Sequence, residues 1–366
     1  MSTAICHLSS VHGAKDVRIF HKECVSLAAH GFDVTLIIPG TESHVDKGVN
    51  IIGVPRPSSR RERIYRTLPL LLRLSLEVDA ALYHFHDPEL FPVGLMLKAK
   101  GKRVVFDSHE DLPRQILSKP WIHSLVRPSV SKLAEYLEDR FAQRLDAVVA
   151  ATPFIQERFS RQGVLSVVVR NSPILTEWDG ISGDWTQKKR QAAYAGGITE
   201  IRGAREMVSA MEQIDGYLTL AGPVAPSLVE ELGMAAESER IEVPGHLDRG
   251  AVADLYAESM VGLCLLWPTV NYLDSSPVKL FEYMAAGLPV VASDFPYWRD
   301  LVEESKAVLF VDPKAPREIA RAIEHLLNHP EEAELMGKRG KEFVAERFNW
   351  QKEERTLIEL YERLLS

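Results

Sequence analysis

Cysteine is scarce: the 366-residue chain carries three, Cys6, Cys24 and Cys264, scattered and odd in number. They form neither a disulfide framework nor a metal-ligand spacing, and a reducing compartment is the expected setting. No run of eighteen apolar residues occurs, so no segment reads as a membrane span. The N-terminus enters an apolar pattern at Thr3 to Leu8 without a basic stretch or small-residue cleavage site before it, and no secretory leader is expected. Basic residues do not dominate. Lys and Arg total 43 against 51 Asp and Glu, a net charge of −8, which argues against general nucleic-acid binding. The loop after the first strand lacks GxGxxG, and GxxxxGK[ST] is absent, which disfavours a nicotinamide enzyme and a P-loop NTPase.

What the chain has is an alternation. With 46% hydrophobic and 26% charged residues it is long enough for two ordinary domains, each with its own core. Apolar runs at Ala4 to Leu8, Val34 to Ile38, Ile51 to Val54, Ala81 to Phe85, Val104 to Phe106, Ala147 to Ala151 and Val167 to Val169 are separated by amphipathic segments of helix length. Between Asn171 and Arg190 the pattern lapses into Pro, Gly and Asp, which reads as a linker. It restarts at Gln191 to Ala195, Tyr217 to Ala221, Ile241 to Val243, Val261 to Leu266, Val290 to Ala292 and Val308 to Val311. The expectation is an α/β protein with two doubly wound, Rossmann-like domains and ligands at the carboxyl ends of the strands.

One stretch carries most of the chemistry: SSPVKLFEYMAAGLPVVASD, from Ser275 to Asp294. Ser276 suits an N-cap and Pro277 the first helical position, so a helix is expected to start near Pro277. Leu280, Tyr283 and Met284 recur at helical spacing, Gly287 and Pro289 stop the helix, and a buried strand follows. A capped helix start fed by a short polar loop offers free N–H groups and the positive end of the dipole, which suits a phosphate. Glu282 sits one turn further on, where a carboxylate could accept from ribose hydroxyls; a solvated surface glutamate is the plain alternative.

This stretch resembles the donor-site signature of family 4 glycosyltransferases of the GT-B fold: an acid, seven residues, a glutamate, then a small-residue, Gly, x, Pro, Val, Val run. Asp274 and Glu282 hold that spacing, followed by AAGLPVV. The resemblance implies a GT-B arrangement, two domains facing a central cleft. The acceptor side would be 1–172 with the C-terminal helix 350–366 crossing back to it, and the donor domain 190–349. In AGGITEIRG, Gly196 and Gly197 permit close backbone approach, and Arg202 follows. The family usually carries an arginine at the position of Gly197 and a lysine at that of Arg202, and these bind the donor diphosphate. Here one cation is lost, and Lys279, beside Val278 at the helix start, is positioned to supply it. His109, in VVFDSHED, aligns with the family's active-site histidine near the anomeric centre, and His86, in YHFHDPEL, matches a supporting motif. In HGAKDVRIF the family's glycine pair is reduced to Gly13. Asp16 and Arg18 place the loop beside a branch with an Asp-x-Arg-Ile-Phe pattern.

From residues 56 to 73, Arg56, Arg60, Arg61, Arg63, Arg66 and Arg73 interleave with leucines, which suits either an anionic membrane surface or a helix packed on the sheet. A second mixed segment runs from Arg114 through Lys119, Trp121 and Arg127 to Lys132. The resulting expectation is a cytoplasmic, metal-independent enzyme without cofactor. It moves a sugar from a nucleotide diphosphate sugar to a glycan or lipid-linked acceptor with retention of configuration, in cell-surface polysaccharide synthesis. Residues 56–73 would meet the inner face of the membrane. The alternatives are an epimerase or hydrolase on the same fold and a nucleotide-sugar-binding protein without catalysis.

Overall fold

The strands of the described residues form two separate, mainly parallel sheets. The structure is a computed structural model and describes residues 2–119, 121–181 and 185–366. The first sheet comprises β1 (Ala4–Leu8), β2 (Asp33–Pro39), β3 (His44–Asp46), β4 (Val49–Val54), β5 (Leu82–Phe85), β6 (Arg103–Ser108), β7 (Ala147–Ala150) and β8 (Ser166–Val168). Its order is β3-β4-β2-β1-β5-β6-β7-β8. The second comprises β9 (Gln191–Ala195), β10 (Tyr217–Ala221), β11 (Ile241–Gly245), β12 (Val261–Cys264), β13 (Val290–Ser293) and β14 (Val308–Val311), in the order β11-β10-β9-β12-β13-β14. Central strands such as Leu82–Phe85 and Val290–Val291 are buried throughout, as strands covered by helices on both faces must be. The order reverses between β1 and β5 in one sheet and between β9 and β12 in the other. Loops diverge there, and ligands bind at such points.

The chain divides into two units, Met1–Asn171 with Trp350–Ser366, and Ser172–Asn349. The final helix, Trp350–Leu365, belongs with the first unit: Leu357, Leu360 and Tyr361 are buried, and Trp350 Nε1 donates to Ser26 Oγ at 2.7 Å. Helix starts follow their capping residues. Asp16 accepts from the N–H groups of Arg18 and Ile19 at 2.9 Å, Thr152 from Ile155 at 3.3 Å and Asp248 from Ala251 at 2.9 Å.

Two local expectations need correction, the linker and the Ser276 cap; β3 was not read from the sequence, and of the two readings of 56–73 the leucines fit the packed helix. β3 pairs antiparallel with β4 through a two-residue turn in which Lys47 and Gly48 both have positive φ; three polar-flanked residues gave no run to read. The segment 171–190 is no linker where it is described. Trp178 is 1% exposed and stacks on Tyr256, so it packs into the second core, while residues 182–184 lie outside the described set. The helix of the signature stretch runs Val278–Ala285 with Pro277 as its N-cap. Ser276 does not cap it; its hydroxyl lies 3.5 Å from Tyr297 Oη. Finally, the leucines of 56–73 pack inward: Leu68 and Leu71 are buried and Leu70, Leu72 and Leu74 lie against the core, while Arg66 and Arg73 pair with Glu62 and Glu77 on the surface. Exposed apolar groups also stand in the second mixed segment, at Trp121 and Leu125, and just beyond it at Leu133 and Tyr136.

Candidate functional site

In the second unit the reversal point between β9 and β12 gathers the residues of two motifs. β9 ends at Ala195 and passes into Gly196 and Gly197. Gly222, at the end of neighbouring β10, has φ +144, and a Cβ there would come within 1.9 Å of Gly196 O, so only glycine lets the strand ends approach so closely. Arg202 folds back over this turn. Its Nη1 lies 3.4 Å from Gly197 O and 3.1 Å from where a Gly197 Cβ would stand. The guanidinium therefore occupies space that a side chain at 197 would take. Tyr194 donates to Gly197 O at 2.9 Å. Burial pushes its phenol up to about 12, so it stays a neutral donor. Burial works against the charge of Arg202, but the phenolic oxygens of Tyr194 and Tyr272 hold its pKa above the usual value.

Across β12 the chain forms a short helix, Val270–Leu273, and then the polar turn Asp274, Ser275, Ser276, Pro277. Asp274 is exposed. The turn is fixed from behind by Trp298 Nε1, which donates to Ser275 O at 2.9 Å. In the first turn of Val278–Ala285 the Leu280 N–H donates to Pro277 O at 3.1 Å, while those of Val278 and Lys279 stand at the positive end of the helix. Glu282 is no surface residue: its side chain is 3% exposed, bonded to Lys279 Nζ at 2.7 Å and to Arg249 Nη1 at 3.0 Å. Arg249 also bonds Glu177 and lies over the Trp178 ring. Lys279 is thus tied to Glu282 one turn into the helix rather than standing alone as a cation.

In the first unit the corresponding reversal point, between β1 and β5, is built from carboxylates and imidazoles. Asp107, at the end of β6, is buried and receives Arg18 in a bidentate pair at 2.8 and 2.7 Å. It also receives His86 Nδ1 at 2.9 Å and lies 3.3 Å from His109 Nδ1. Burial opposes ionisation, yet Arg18 and these imidazoles hold its carboxyl well below the usual range. His109 is part-exposed and packs edge-on against His12 at 5.1 Å. His12 in turn meets Asp87 at 3.2 Å. Arg18, read from sequence as a loop cation, is buried. It also bonds Val169 O at 2.9 Å and faces Glu23 at 3.2 Å, so it holds Asp107 rather than a ligand. Asp16 caps the helix that carries it, and Gly13 is exposed with nothing near a notional Cβ.

Sequence reasoning missed Arg249, Glu177, Tyr194 and Tyr272, because only the fold brings them to Glu282 and Arg202. It also missed Asp107, which lies 3.3 Å from His109 Nδ1; its place at a strand end two residues before that histidine was the available signal. The buried imidazoles of His7 and His84 were also missed.

Comparison with known proteins places both units. A family model described as Glycosyltransferase Family 4 matches residues 18–172, and one described as Glycosyl transferase-like matches 199–359. The GDP-mannose-dependent alpha-(1-6)-phosphatidylinositol dimannoside mannosyltransferase of Mycobacterium tuberculosis is 26% identical over 353 residues, 88% of this chain and 86% of that protein. D-rhamnosyltransferase WbpZ of Pseudomonas aeruginosa is 25% identical over 279 residues, 72% and 68% of the two chains. Among solved structures, sucrose-phosphate synthase from Thermosynechococcus elongatus superposes with a TM-score of 0.79 at 19% identity over 99% of both chains. Anabaena HepE in complex with UDP superposes with a TM-score of 0.71 at 14% identity, over 99% of this chain and 100% of that one.

Proposed function

This chain belongs to the family 4 glycosyltransferases of the GT-B fold, and from that premise we propose that it transfers a sugar from a nucleotide diphosphate sugar to a glycan or lipid-linked acceptor with retention of configuration. The observation that carries the donor reading is Arg202 folded over the Gly196–Gly197 turn at a strand-order reversal, with a helix start across β12. Cleaving the anomeric bond leaves a diphosphate whose growing charge needs donors already in place. Arg202, the N–H groups of Val278 and Lys279 at the helix start, and the Lys279 ammonium shared with Glu282 supply them without a divalent ion. Glu282 accepts from the ribose, Asp274 meets the sugar hydroxyls, and His109, 3.3 Å from Asp107 in the first unit, is the imidazole that the family resemblance assigns to catalysis.

Leaving-group anion and sugar cation then develop side by side, which suits departure and attack on one face of the ring. The reading without catalysis rested on Gly197 in place of the family's arginine and on Asp274 in place of its first glutamate; Arg202 Nη1, 3.1 Å from where a Gly197 Cβ would stand, keeps one guanidinium beside the first of these. The mannosyltransferase relative is named for GDP-mannose and the HepE structures hold UDP, so the panel below must separate the bases. We place the enzyme in the cytoplasm, in cell-surface polysaccharide synthesis. Exposed Arg60, Arg61, Ile64 and Tyr65 of the segment 56–73 would meet the membrane face; no helix of the described residues is long and apolar enough to cross it.

The test is a thermal-shift panel of UDP, GDP, ADP and CMP and their sugars. A ligand at a hundred times its Kd should add about 2.7 kcal/mol of stability. Arg202→Ala should weaken the diphosphate at least about tenfold, the ~1.5 to 3 kcal/mol of a bond to a charged group, and leave the nucleoside unchanged. Equal loss of both, or no ligand among the four, overturns the assignment.

A further inference from the structure

The first core contains a set of side chains that sugar transfer does not use. β1 and β5 run parallel in a register that sets His7 against His84, and His86, two residues on, falls on the same face. Helix Val17–Cys24 brings Glu23 onto that face, and helix Trp350–Leu365 brings Tyr361. All five side chains are fully buried. Glu23 Oε2 lies 3.9 Å from His7 Nδ1, 3.6 Å from His84 Nδ1 and 3.9 Å from His86 Nε2, and His7 Nδ1 lies 2.9 Å from His86 Nε2.

We propose that His7, Glu23, His84 and His86 form a closed structural site for one divalent transition-metal ion of the zinc class. Their four ligand atoms lie within 4.8 Å of one another. An ion holding imidazole nitrogens and a carboxylate oxygen tetrahedrally at zinc distances needs ligand atoms roughly 3.3 Å apart, and the four separations above bracket that value.

Hydrogen-bond accounting leads to the same place. His86 Nδ1–H donates to Asp107 at 2.9 Å, so the neutral ring presents a bare Nε2 to the cluster. His7 Nδ1–H can satisfy that nitrogen. Tyr361 Oη–H then donates to His7 Nε2 at 3.1 Å and accepts from His84 Nδ1–H at 2.7 Å. Every imidazole proton is spent in this chain, and none reaches Glu23 Oε2, a fully buried carboxylate oxygen with no hydrogen bond. Such an orphan is rare. One guanidinium, Arg18, serves both Glu23 and Asp107, and burial pushes the Glu23 carboxyl well above its usual value. An ion gives Glu23 Oε2 its partner. His7 turns its proton to Nε2 and donates it to Tyr361 Oη, His84 moves its proton from Nδ1 to Nε2 and gives up its bond to Tyr361, His86 keeps its bond to Asp107, and Nδ1 of His7, Nε2 of His86 and Nδ1 of His84 face the metal. Asp107 and Tyr361 then orient ligands from behind, as outer partners of metal-bound histidines do. Four protein ligands and complete burial leave no open position, so the ion holds β1, β5 and two helices together and takes no part in transfer.

The test uses the full chain, purified without a polyhistidine tag, assayed for metal by mass spectrometry, then stripped and titrated with Zn2+ or Co2+. The proposal expects one ion per chain, the intense visible absorption of tetrahedral Co2+, and a rise in unfolding temperature with zinc. Glu23→Gln and His84→Ala should each weaken zinc at least about tenfold, and Tyr361→Phe about tenfold. An exposed set, His325, His329 and Glu332, serves as the control; His325→Ala should change nothing. Should His84→Ala fail to fold, Glu23→Gln and the Co2+ spectrum of the parent decide. Absence of bound metal with no Co2+ spectrum, or zinc that survives Glu23→Gln and leaves with His325→Ala, overturns the site and leaves the cluster held by protons alone.

Discussion

At the scale of single residues, Glu282 is a buried acid that pairs with both Lys279 and Arg249, and the proposed ribose contact would give it a second role. Glu282→Ala should therefore cost ~1 to 3 kcal/mol of stability and a similar amount of nucleotide affinity, read by calorimetry on protein shown to be folded. Glu282→Gln should retain most of the stability and still lose affinity; if it binds nucleotide as tightly as the parent, the ribose assignment is wrong. Asp87 and His12 give a pH signature. Burial would raise Asp87, but bonds from His12, Ser10 and Ser9 take it from 3.8 to about 2. Burial would lower His12, but Asp87 carries it above 6.5. A depressed acid contributes stability that is present above 3.8 and lost as pH falls through about 2, here ~2 kcal/mol. A raised base contributes stability that is full below 6.5 and lost as pH rises through its folded value. The contribution of this pair to the unfolding temperature should fall on both sides of the window from about pH 4 to 6.5, on top of the loss below 6.5 brought by the buried imidazoles of His7, His84 and His86, which burial holds below their usual value. His12→Gln should remove the alkaline decline. At this scale Asp274 and Glu282 were legible because a fixed spacing within one segment carries them. Arg249 was not, since it reaches Glu282 only through folding.

At the scale of elements, the glycines divide into those that the packing requires and those it does not. Gly222→Ala should displace the Gly196 turn, cost ~1 to 3 kcal/mol as overpacking against backbone, and weaken diphosphate binding through Arg202. Gly13→Ala meets nothing within 4 Å and should stay within ~0.5 kcal/mol. Denaturant titration of both, with nucleotide affinity alongside, checks the contrast; equal effects would mean that the strand-end contact does not set the turn. The parallel strands were legible because burial on both faces leaves unbroken apolar runs. The β3 hairpin was not, because an exposed edge strand of three residues needs no such run. The helix start was misjudged by one residue because Pro277, at ψ 103, stands outside the helix as its cap.

At the scale of the whole molecule, the partition of the chain is itself a physical claim. The last helix lies with the first unit although 178 residues of the second unit, Ser172–Asn349, precede it. Trp350, Leu357, Ile358, Leu360 and Tyr361 are all buried there, and each such side chain is worth ~1.5 to 3 kcal/mol. Together they rival the ~5 to 15 kcal/mol that holds a domain folded. Truncation after Asn349 should therefore unfold Met1–Asn171, whose Ser26, His7 and His84 lose their partners on that helix. The unit Ser172–Asn349 keeps both of its clusters of buried residues, 192–336 and 178–344. Scanning calorimetry should show one transition lost and one retained. The retained transition should still shift upward with the nucleoside diphosphate that stabilises the full chain, because Arg202, Lys279 and Glu282 all lie within it. A retained transition that no longer responds to the nucleotide would place an essential part of the donor site in the first unit. Loss of both transitions would show that the two units do not fold independently.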